Sequence, residues 1–304
     1  MTRFIFGDLE KAQRMSLLVF GKNGQIGIDL QRQIGADAPY LLLGRDRADL
    51  SDPQACADVI RKARPAVVIN LAGVHDRQAA QADEPRAMRI NAEAPARMAE
   101  ACAEIRAPFV HLSTADVFDG SGEAPWKPGD PTAPRTALGR TKRAGEQAIA
   151  KAGGAYLILR TGMIVSAHGD NYVKRLLARA RSEPRIEVPE GEITAPTSAY
   201  DLARAFQIAA MRVIEDRSLS GIYHYQSKPH MTLANVARQI LSSAELKNEV
   251  VETAPEDSLE TPGNTRLEGI HTEMQLGLRS PDWRASLQFI LRDLGQSAAG
   301  PQPS

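Results

Sequence analysis

Three regularly spaced glycines are the residues of this 304-residue chain whose type and position point most directly to chemistry. Gly21, Gly24 and Gly27 lie in the segment GKNGQIG, between an apolar run and a helical pattern. Glycines here allow a tight turn and let a pyrophosphate approach the backbone, while the helix N-terminus supplies free N–H groups and a partial positive charge. The segment therefore predicts a dinucleotide-binding loop. The cofactor contacts predicted in it also include Asn23, Gln25 and Ile26.

The end of the second predicted strand distinguishes the two nicotinamide dinucleotides. An acidic residue there hydrogen-bonds the ribose hydroxyl of NAD, whereas an arginine accommodates the 2′-phosphate of NADP. Arg45 is the first charged residue after the strand, so the sequence favours NADP. Asp46 follows directly and keeps NAD as the alternative. Asp49 and Leu50 come slightly later, where the adenine edge is expected.

These residues need a sheet to position them, and the hydrophobic pattern predicts one. Short apolar segments occur at residues 17–20, 40–44, 66–70, 108–114 and 155–160. Helical patterns lie between them, including residues 51–63 and 85–106. Strands that alternate with helices predict an α/β fold with a Rossmann-like, doubly wound parallel sheet.

The regularity weakens beyond about residue 161, which predicts a smaller C-terminal substrate lobe. We expect an N-terminal extension over residues 1–15 and the dinucleotide-binding core over residues 16–160. Residues 161–295 would form the substrate lobe, interleaved with the last sheet elements. The final residues, 296–304, are rich in small residues and proline and are predicted to be disordered.

Composition argues against several classes of partner. The chain has 37 Lys plus Arg and 37 Asp plus Glu, so its zero net charge favours neither nucleic acid nor an anionic membrane. No apolar run approaches the roughly 18–20 residues that span a bilayer, and no secretory signal is recognisable, so a cytoplasmic protein is expected. Cys56 and Cys102 lie in Ala-rich helical segments. They are predicted to be buried apolar side chains, and no metal site is predicted.

A series of short segments carries a resemblance to known proteins. In chain order they read GKNGQIG, VVINLAG, INAEAP, STADVFDG, KPGDPTAP, GRTKRAGE, NYV, APTSAYDLA, PGNT and PDWRASL. Their order and spacing, over about residues 16–293, resemble the extended short-chain dehydrogenase/reductases and, more narrowly, the dTDP-4-dehydrorhamnose reductase family. No single segment decides the resemblance, but the set together is specific.

The resemblance implies reduction of the 4-keto group of a nucleotide sugar with NADPH or NADH. It implies that Thr114 orients the carbonyl oxygen, that a tyrosine at position 138 donates a proton, and that Lys142 binds the nicotinamide ribose and lowers the tyrosine pKa. The cofactor contacts that it adds are Leu71, Ala72, Gly73, Asn91 and Lys142. The substrate contacts that it implies are Thr114, Val117, Phe118, Asn171, Asn264 and Thr265.

The sequence departs from this pattern at the proton donor. Position 138 is Leu138, and no tyrosine occurs between Tyr40 and Tyr156, so a small alignment shift cannot supply one. Asp116 and His75 are the candidates for a displaced acid. Two functions stay open: a reductase with a substituted acid, and a catalytically weak or inactive homologue that binds the dinucleotide and regulates a partner. A homodimer is compatible with either.

Overall fold

The computed structural model describes residues 17–35, 38–254 and 263–296. The predicted N-terminal extension, residues 1–15, lies outside the described residues. So does the predicted tail, apart from residue 296. No helix in the described ranges is long and apolar enough to cross a membrane.

Strands and helices alternate through the first half of the chain. The strands are β1 (Leu17–Phe20), β2 (Tyr40–Leu43), β3 (Val67–Asn70), β4 (Phe109–Thr114), β5 (Tyr156–Thr161), β6 (Ile164–Val165), β7 (Arg185–Pro189), β8 (Ile193–Thr194), β9 (Thr197–Ser198), β10 (Gly221–His224), β11 (Met231–Thr232) and β12 (Glu249–Thr253). The α-helices are α1 (Gln25–Gln33), α2 (Pro53–Ala63), α3 (Arg77–Ala82), α4 (Glu84–Met88), α5 (Ala94–Glu104), α6 (Ala137–Lys151), α7 (Tyr172–Ala180), α8 (Ala199–Glu215), α9 (Leu233–Ser243), α10 (Ile270–Leu276) and α11 (Trp283–Asp293).

The central sheet has six strands in the order β2-β1-β3-β4-β5-β10, and all neighbouring pairs are parallel. The chain leaves β1 for β2 on one side and then places β3 on the other side of β1. In open α/β sheets ligands bind outside the carboxyl ends of the strands at such a reversal. Leu17 and Val19 face one hydrophobic core and Leu18 and Phe20 the other, as a sheet covered on both faces requires. The doubly wound prediction is confirmed.

The helix predicted over residues 85–106 is observed as one continuous helical run over residues 84–104, but it contains an unpredicted π turn at Arg89–Glu93 between α4 and α5. Pro95 has no N–H to donate to the carbonyl of Asn91, and its ring would clash with that carbonyl in a regular helix. The freed Asn91 oxygen is approached closely by Gly145 of α6, where an added Cβ would lie only 2.1 Å from it. The π turn thus fixes Asn91 against α6.

The segments after β5 contribute to two hydrophobic cores. Helix α8 packs into the core of the central sheet, and β10 completes that sheet. A separate core collects side chains from α7, β7, α9 and α11, among them Val173, Ile186, Ile240 and Trp283. Cys56 and Cys102 are buried free thiols, as predicted.

Candidate dinucleotide and substrate site

The glycine loop joins β1 to α1 at the carboxyl edge of the sheet. Gly21 has a φ of 101°, a left-handed conformation that favours glycine, and its N–H donates to the carbonyl of Leu43 at 3.0 Å. A Cβ on Gly27 would lie 2.2 Å from the Gly21 oxygen, so the turn also requires glycine there. A Cβ on Gly24 would contact only the Gly21 carbonyl oxygen, at an ordinary van der Waals distance of 3.5 Å. Gly21 and Gly27 therefore shape the turn, whereas Gly24 leaves its outer face open.

The first turn of α1 is available to an anion. Gly24 is the N-cap of this helix, so no side chain caps its first N–H groups. Free N–H groups and the helix dipole at such an N-terminus bind phosphate groups. Ile26 is buried under this turn, and the Gln25 side chain accepts a hydrogen bond from Asn171 at 3.1 Å. The loop thus fits the pyrophosphate of a dinucleotide.

Some residues after β2 are exposed, and others are buried or hydrogen-bonded within the protein. Arg45 and Arg47 are exposed, and Asn23 lies beside Gly44, where an added Cβ would be 3.0 Å from its amide nitrogen. Leu50 is buried in the core. The side chain of Asp49 accepts a hydrogen bond from the backbone N–H of Ser51, which lowers the pKa of Asp49.

The loop after β3 forms the next wall of the crevice. Asn70 accepts a hydrogen bond from the N–H of Ala72, and Asn91 both accepts from and donates to the backbone of Val74. A Cβ on Gly73 would lie 2.9 Å from the Asn91 oxygen and 2.9 Å from Lys142 Nζ. The absence of a side chain at Gly73 therefore lets Lys142 and Asn91 reach this loop. Leu71 is buried beneath it.

Lys142 is buried inside this wall. Its Nζ donates a hydrogen bond to the carbonyl of Leu112 at 3.1 Å, two residues before Thr114 at the end of β4. Burial lowers the pKa of Lys142 to about 8, and the charge of Glu146 opposes this effect. Glu146 itself forms a buried ion pair with Arg160 at 2.7 Å. Lys142 thus joins the cofactor wall to the strand that carries Thr114.

Thr114 ends β4, and Asp116 lies in the short turn that follows. The Thr114 hydroxyl accepts a hydrogen bond from the N–H of Asp116 at 3.2 Å. Helix α6 approaches this turn at Gly139, where an added Cβ would lie 2.0 Å from the Asp116 carbonyl oxygen. Leu138, next to Gly139, is buried and packs in an apolar cluster with Ala80, Ala87, Ala137 and Val74. Position 138 therefore belongs to a packed apolar surface.

Neither predicted substitute acid is well disposed to donate a proton. Arg77 donates hydrogen bonds to both carboxyl oxygens of Asp116, from Nε at 2.7 Å and from Nη2 at 3.0 Å. His75 is exposed overall, but its Nε2 is partly buried, 3.3 Å from the carbonyl oxygen of Leu71. Desolvation, followed by the charge of Lys142, lowers its pKa to about 3. At neutral pH the imidazole is therefore neutral.

Two further charged residues near Asp116 escaped the sequence analysis. One is its partner Arg77, and the other is Glu192, which lies between β7 and β8 and is 7% exposed. Burial raises the pKa of Glu192, Arg77 lowers it, and Asp116 raises it. Both residues depend on contacts between distant parts of the chain, so no local pattern marks them.

Most predicted substrate residues have partners within the protein. Val117 and Phe118 are buried in a small hydrophobic cluster. Asn171 caps α7, Asn264 donates to the carbonyls of Ser121 and Ala124, and the Thr265 hydroxyl donates to the carbonyl of Ile193. Their substrate contacts stay predictions, whereas their structural contacts are observed.

The fold, the open glycine turn and the buried lysine define a Rossmann-type dinucleotide-binding protein. A family model described as the RmlD substrate binding domain matches residues 15–296. The dTDP-4-dehydrorhamnose reductase of Sinorhizobium fredii is 33% identical over 286 residues, covering 91% of this chain and 97% of the relative. The one from Burkholderia thailandensis is 32% identical over 295 residues, covering 92% and 99%. The chain belongs to the dTDP-4-dehydrorhamnose reductase family.

Solved structures agree with this assignment. A dTDP-4-dehydrorhamnose reductase from Clostridium acetobutylicum superposes with a TM-score of 0.84 at 26% identity. The match covers 92% of this chain and 100% of the Clostridium chain. One from Bacillus anthracis, solved in complex with NADP, has the same fold, with a TM-score of 0.84 at 24% identity over 92% of this chain and 99% of its own. The resemblance stated from the sequence is confirmed.

The glycine loop gives a matched pair of variants. We expect Gly24→Val to keep the folded stability of the protein but to weaken NADPH binding strongly, because the new side chain would occupy the open face of the turn. Gly27→Ala should instead lower the free energy of unfolding, because its Cβ would overlap the Gly21 oxygen. Fluorescence titration with NADPH and urea denaturation measure the two effects. Unchanged NADPH affinity in Gly24→Val would refute the binding site.

The buried ammonium of Lys142 predicts a pH-dependent stability. Its pKa is about 8 in the folded protein, against an ordinary 10.5, so between these values the unfolded chain binds more protons and stability rises with pH. Below the pKa of Lys142 in the folded protein, burial of the ammonium lowers the free energy of unfolding by its full amount, about 3 kcal/mol. We therefore expect Lys142→Met to be more stable than the wild type at neutral pH and to lose this advantage near pH 10. Urea denaturation at both pH values tests this, with exposed Lys151→Met on the same helix as the control.

Proposed function

We propose that this protein reduces the keto group of a nucleotide sugar with NADPH, and that position 138 takes no part in proton transfer. The observation that carries the proposal is the position of Lys142. Its buried Nζ adjoins Gly73 of the cofactor wall and is held on β4 two residues before Thr114. Relatives named dTDP-4-dehydrorhamnose reductases, which cover more than 90% of this chain, support a dTDP-4-dehydro-6-deoxyhexose as substrate.

Each residue of the site has a separate role in the proposed reduction. The dinucleotide, when bound, supplies the hydride. The Lys142 ammonium, which is poorly solvated, hydrogen-bonds the nicotinamide ribose and stabilises negative charge that develops near it. The Thr114 hydroxyl orients the carbonyl oxygen. Leu138 has no proton to give, and its apolar neighbours exclude water from this side of the site.

NADP is the proposed dinucleotide because of the charge after β2. Arg45 is exposed there, where the 2′-phosphate of NADP would lie. Asp46, the adjacent acidic residue, is exposed as well, and Asp49 accepts a hydrogen bond from the backbone N–H of Ser51. The Bacillus anthracis reductase was solved with NADP, which supports the same cofactor. NAD is the alternative.

A dinucleotide-binding protein that regulates a partner is the competing function. The observation that favours it is Leu138, since an apolar side chain occupies the place of the expected proton donor. The two functions share the cofactor site and differ in turnover. We give preference to the reductase because Lys142 stays buried in the site at a cost in stability.

Turnover separates these functions. We expect the wild type to oxidise NADPH in the presence of dTDP-4-dehydrorhamnose and to form the corresponding dTDP-sugar alcohol, followed by NADPH fluorescence and chromatography. Lys142→Met should lower kcat about 100- to 1,000-fold, because it removes a preorganised positive charge. Lys151→Met is the control. A wild type that binds NADPH but leaves this and related keto sugars unreduced would support the regulatory function instead.

Two arginine variants test the predicted preference for NADPH over NADH. A phosphate–guanidinium hydrogen bond contributes about 1.5–3 kcal/mol, so Arg45→Gln should weaken NADPH binding about 10- to 100-fold and leave NADH binding unchanged. Arg47→Gln, two residues later and equally exposed, should change neither. Fluorescence titration with both cofactors measures this. Equal NADPH affinity in the wild type and Arg45→Gln would contradict the assignment.

A further inference from the structure

The ion pair between Glu146 of α6 and Arg160 of β5 is buried on both sides. Its side chains are 4% and 3% exposed. In each of the other ion pairs that the described residues form, at least one side chain is 30% exposed or more. Two charges lose their hydration on burial, and a well-packed apolar pair is often as stable, so stability alone does not explain this pair.

The Glu146 carboxylate is held by three hydrogen bonds. Arg160 donates to one carboxyl oxygen from Nε at 2.8 Å and to the other from Nη2 at 2.7 Å. The Ser113 hydroxyl donates to Oε1 of Glu146 at 2.5 Å. Bidentate hydrogen bonds between charged groups are short and directional. Together, these three donors fix the carboxylate in both position and orientation.

The Arg160 guanidinium is itself held by its surroundings. Its Nη1 lies 3.3 Å from the carbonyl oxygen of Pro128 and 3.4 Å from Nε2 of His224. Nδ1 of His224 lies 3.0 Å from the carbonyl oxygen of Trp126. A carbonyl oxygen only accepts, so Nδ1 carries the proton and Nε2 is free to accept from Arg160. The guanidinium also lies 5.0 Å from the centre of the Phe118 ring. These contacts leave Arg160 little freedom to move away from Glu146.

This pair lies next to the residues that the proposed function uses. Ser113 directly precedes Thr114 at the end of β4. Glu146 follows Lys142 by one helical turn on α6, so the two side chains lie on the same face of the helix. Both are buried, at 3% and 1% exposure. The hydrogen bonds of Glu146 therefore connect the helix that carries Lys142 to the strand that carries Thr114.

Glu146 is also the acidic group whose charge acts on Lys142. Burial lowers the pKa of Lys142, and the negative charge of Glu146 opposes this effect. His75, in the loop after β3, and His111 of β4 face Lys142 from other elements. Desolvation, followed by the charge of Lys142, lowers the pKa of both rings, so both are neutral at neutral pH. The histidines therefore contribute no charge to the surroundings of the ammonium.

We propose that Glu146 is a positioning residue of the reduction, and that its fixed carboxylate stabilises the buried Lys142 ammonium beside the cofactor wall. This inference rests on the proposed function, in which Lys142 acts through its charge. Arg160 and Ser113 hold the carboxylate, so Lys142 gains a nearby negative charge without a direct hydrogen bond to it. An ammonium has three N–H donors, and one of those of Lys142 is used by the carbonyl of Leu112. The others stay available for the nicotinamide ribose.

The pH dependence of turnover tests the electrostatic effect. The reduction needs the ammonium form of Lys142, so kcat should fall as pH rises through the pKa of this residue. Glu146→Gln keeps the shape of the side chain but removes its charge, so this alkaline limb should move to lower pH by about one to two units. At pH 8, kcat should therefore fall about 5- to 50-fold, with little change in the KM for the sugar.

Two further variants separate charge from structure. Glu84→Gln is the matched control, because Glu84 pairs with Arg140 of α6 at the same 2.7 Å, but at a partly exposed place. This variant should keep the wild-type kcat and alkaline limb. Arg160→Lys keeps a positive partner for Glu146, so its limb should stay near the wild-type pH even where the lost bidentate geometry lowers kcat. A limb that moves as far in Arg160→Lys as in Glu146→Gln overturns the inference.

NMR titration of lysine side chains gives a readout that is independent of turnover. In protein with isotope-labelled lysine, the Nζ signal that disappears in Lys142→Met identifies Lys142. Its titration midpoint should move to lower pH in Glu146→Gln and stay unchanged in Glu84→Gln. If Glu146→Gln alone does not fold, the double variant with Arg160→Met removes both charges, leaves no buried ion unpaired and should show the same change.

The titration and the turnover assay fail independently of each other. A Lys142 midpoint that is unchanged by the loss of the Glu146 carboxylate overturns the inference, and the proposed function stands if the wild type reduces the sugar. A wild type that binds NADPH without turnover overturns the proposed function and, with it, the role of Glu146 in a reduction. A lowered midpoint together with the shifted limb in Glu146→Gln supports both.

Discussion

The ammonium of Lys142 is buried, and much of the site is arranged around a charge that water does not solvate. Its observed hydrogen bond is to the carbonyl of Leu112. Gly73 has no side chain, which leaves room for the Lys142 ammonium. Asn91 holds the loop after β3 through hydrogen bonds to the backbone of Val74. The π turn that contains Asn91 is closely approached by Gly145 of α6, the helix that also carries Lys142. Burial of a lysine opposes folding, so this arrangement indicates selection for function over stability.

The same helix that carries Lys142 is apolar one turn earlier. Leu138 packs against alanines of α3 and α4, and Arg140, two residues later on α6, forms an ion pair with Glu84 of α4 at 2.7 Å. The charged groups Arg77 of α3 and Asp116 of the turn after β4 form an ion pair at 2.7 Å, and α6 approaches the same turn at Gly139.

The sequence allowed accurate prediction where one local segment determines the structure. Strand β1 was predicted with its observed bounds, and the glycine loop was predicted because its spacing reflects close contacts within one turn. The π turn was missed because it depends on the approach of Gly145, from a distant helix, to the backbone of Asn91. Arg77 and Asp116 are 39 residues apart, so their ion pair has no local signature. Polar residues such as Asn171 and Asn264 stay predicted substrate contacts, and their structural contacts, a helix cap and a bridge between loops, could not be predicted from the sequence.

Cofactor binding and proton donation place different demands on a protein chain. A pyrophosphate must approach the backbone itself, so the turn has to be tight, and it tolerates no side chain at Gly27, where an added Cβ would lie 2.2 Å from the Gly21 carbonyl oxygen. A proton donor needs only an acid of suitable pKa within hydrogen-bonding distance of one oxygen, and several surrounding elements can supply it. Within one fold, the glycine loop is therefore the more constrained part of the site, and the position of a proton donor is the less constrained part.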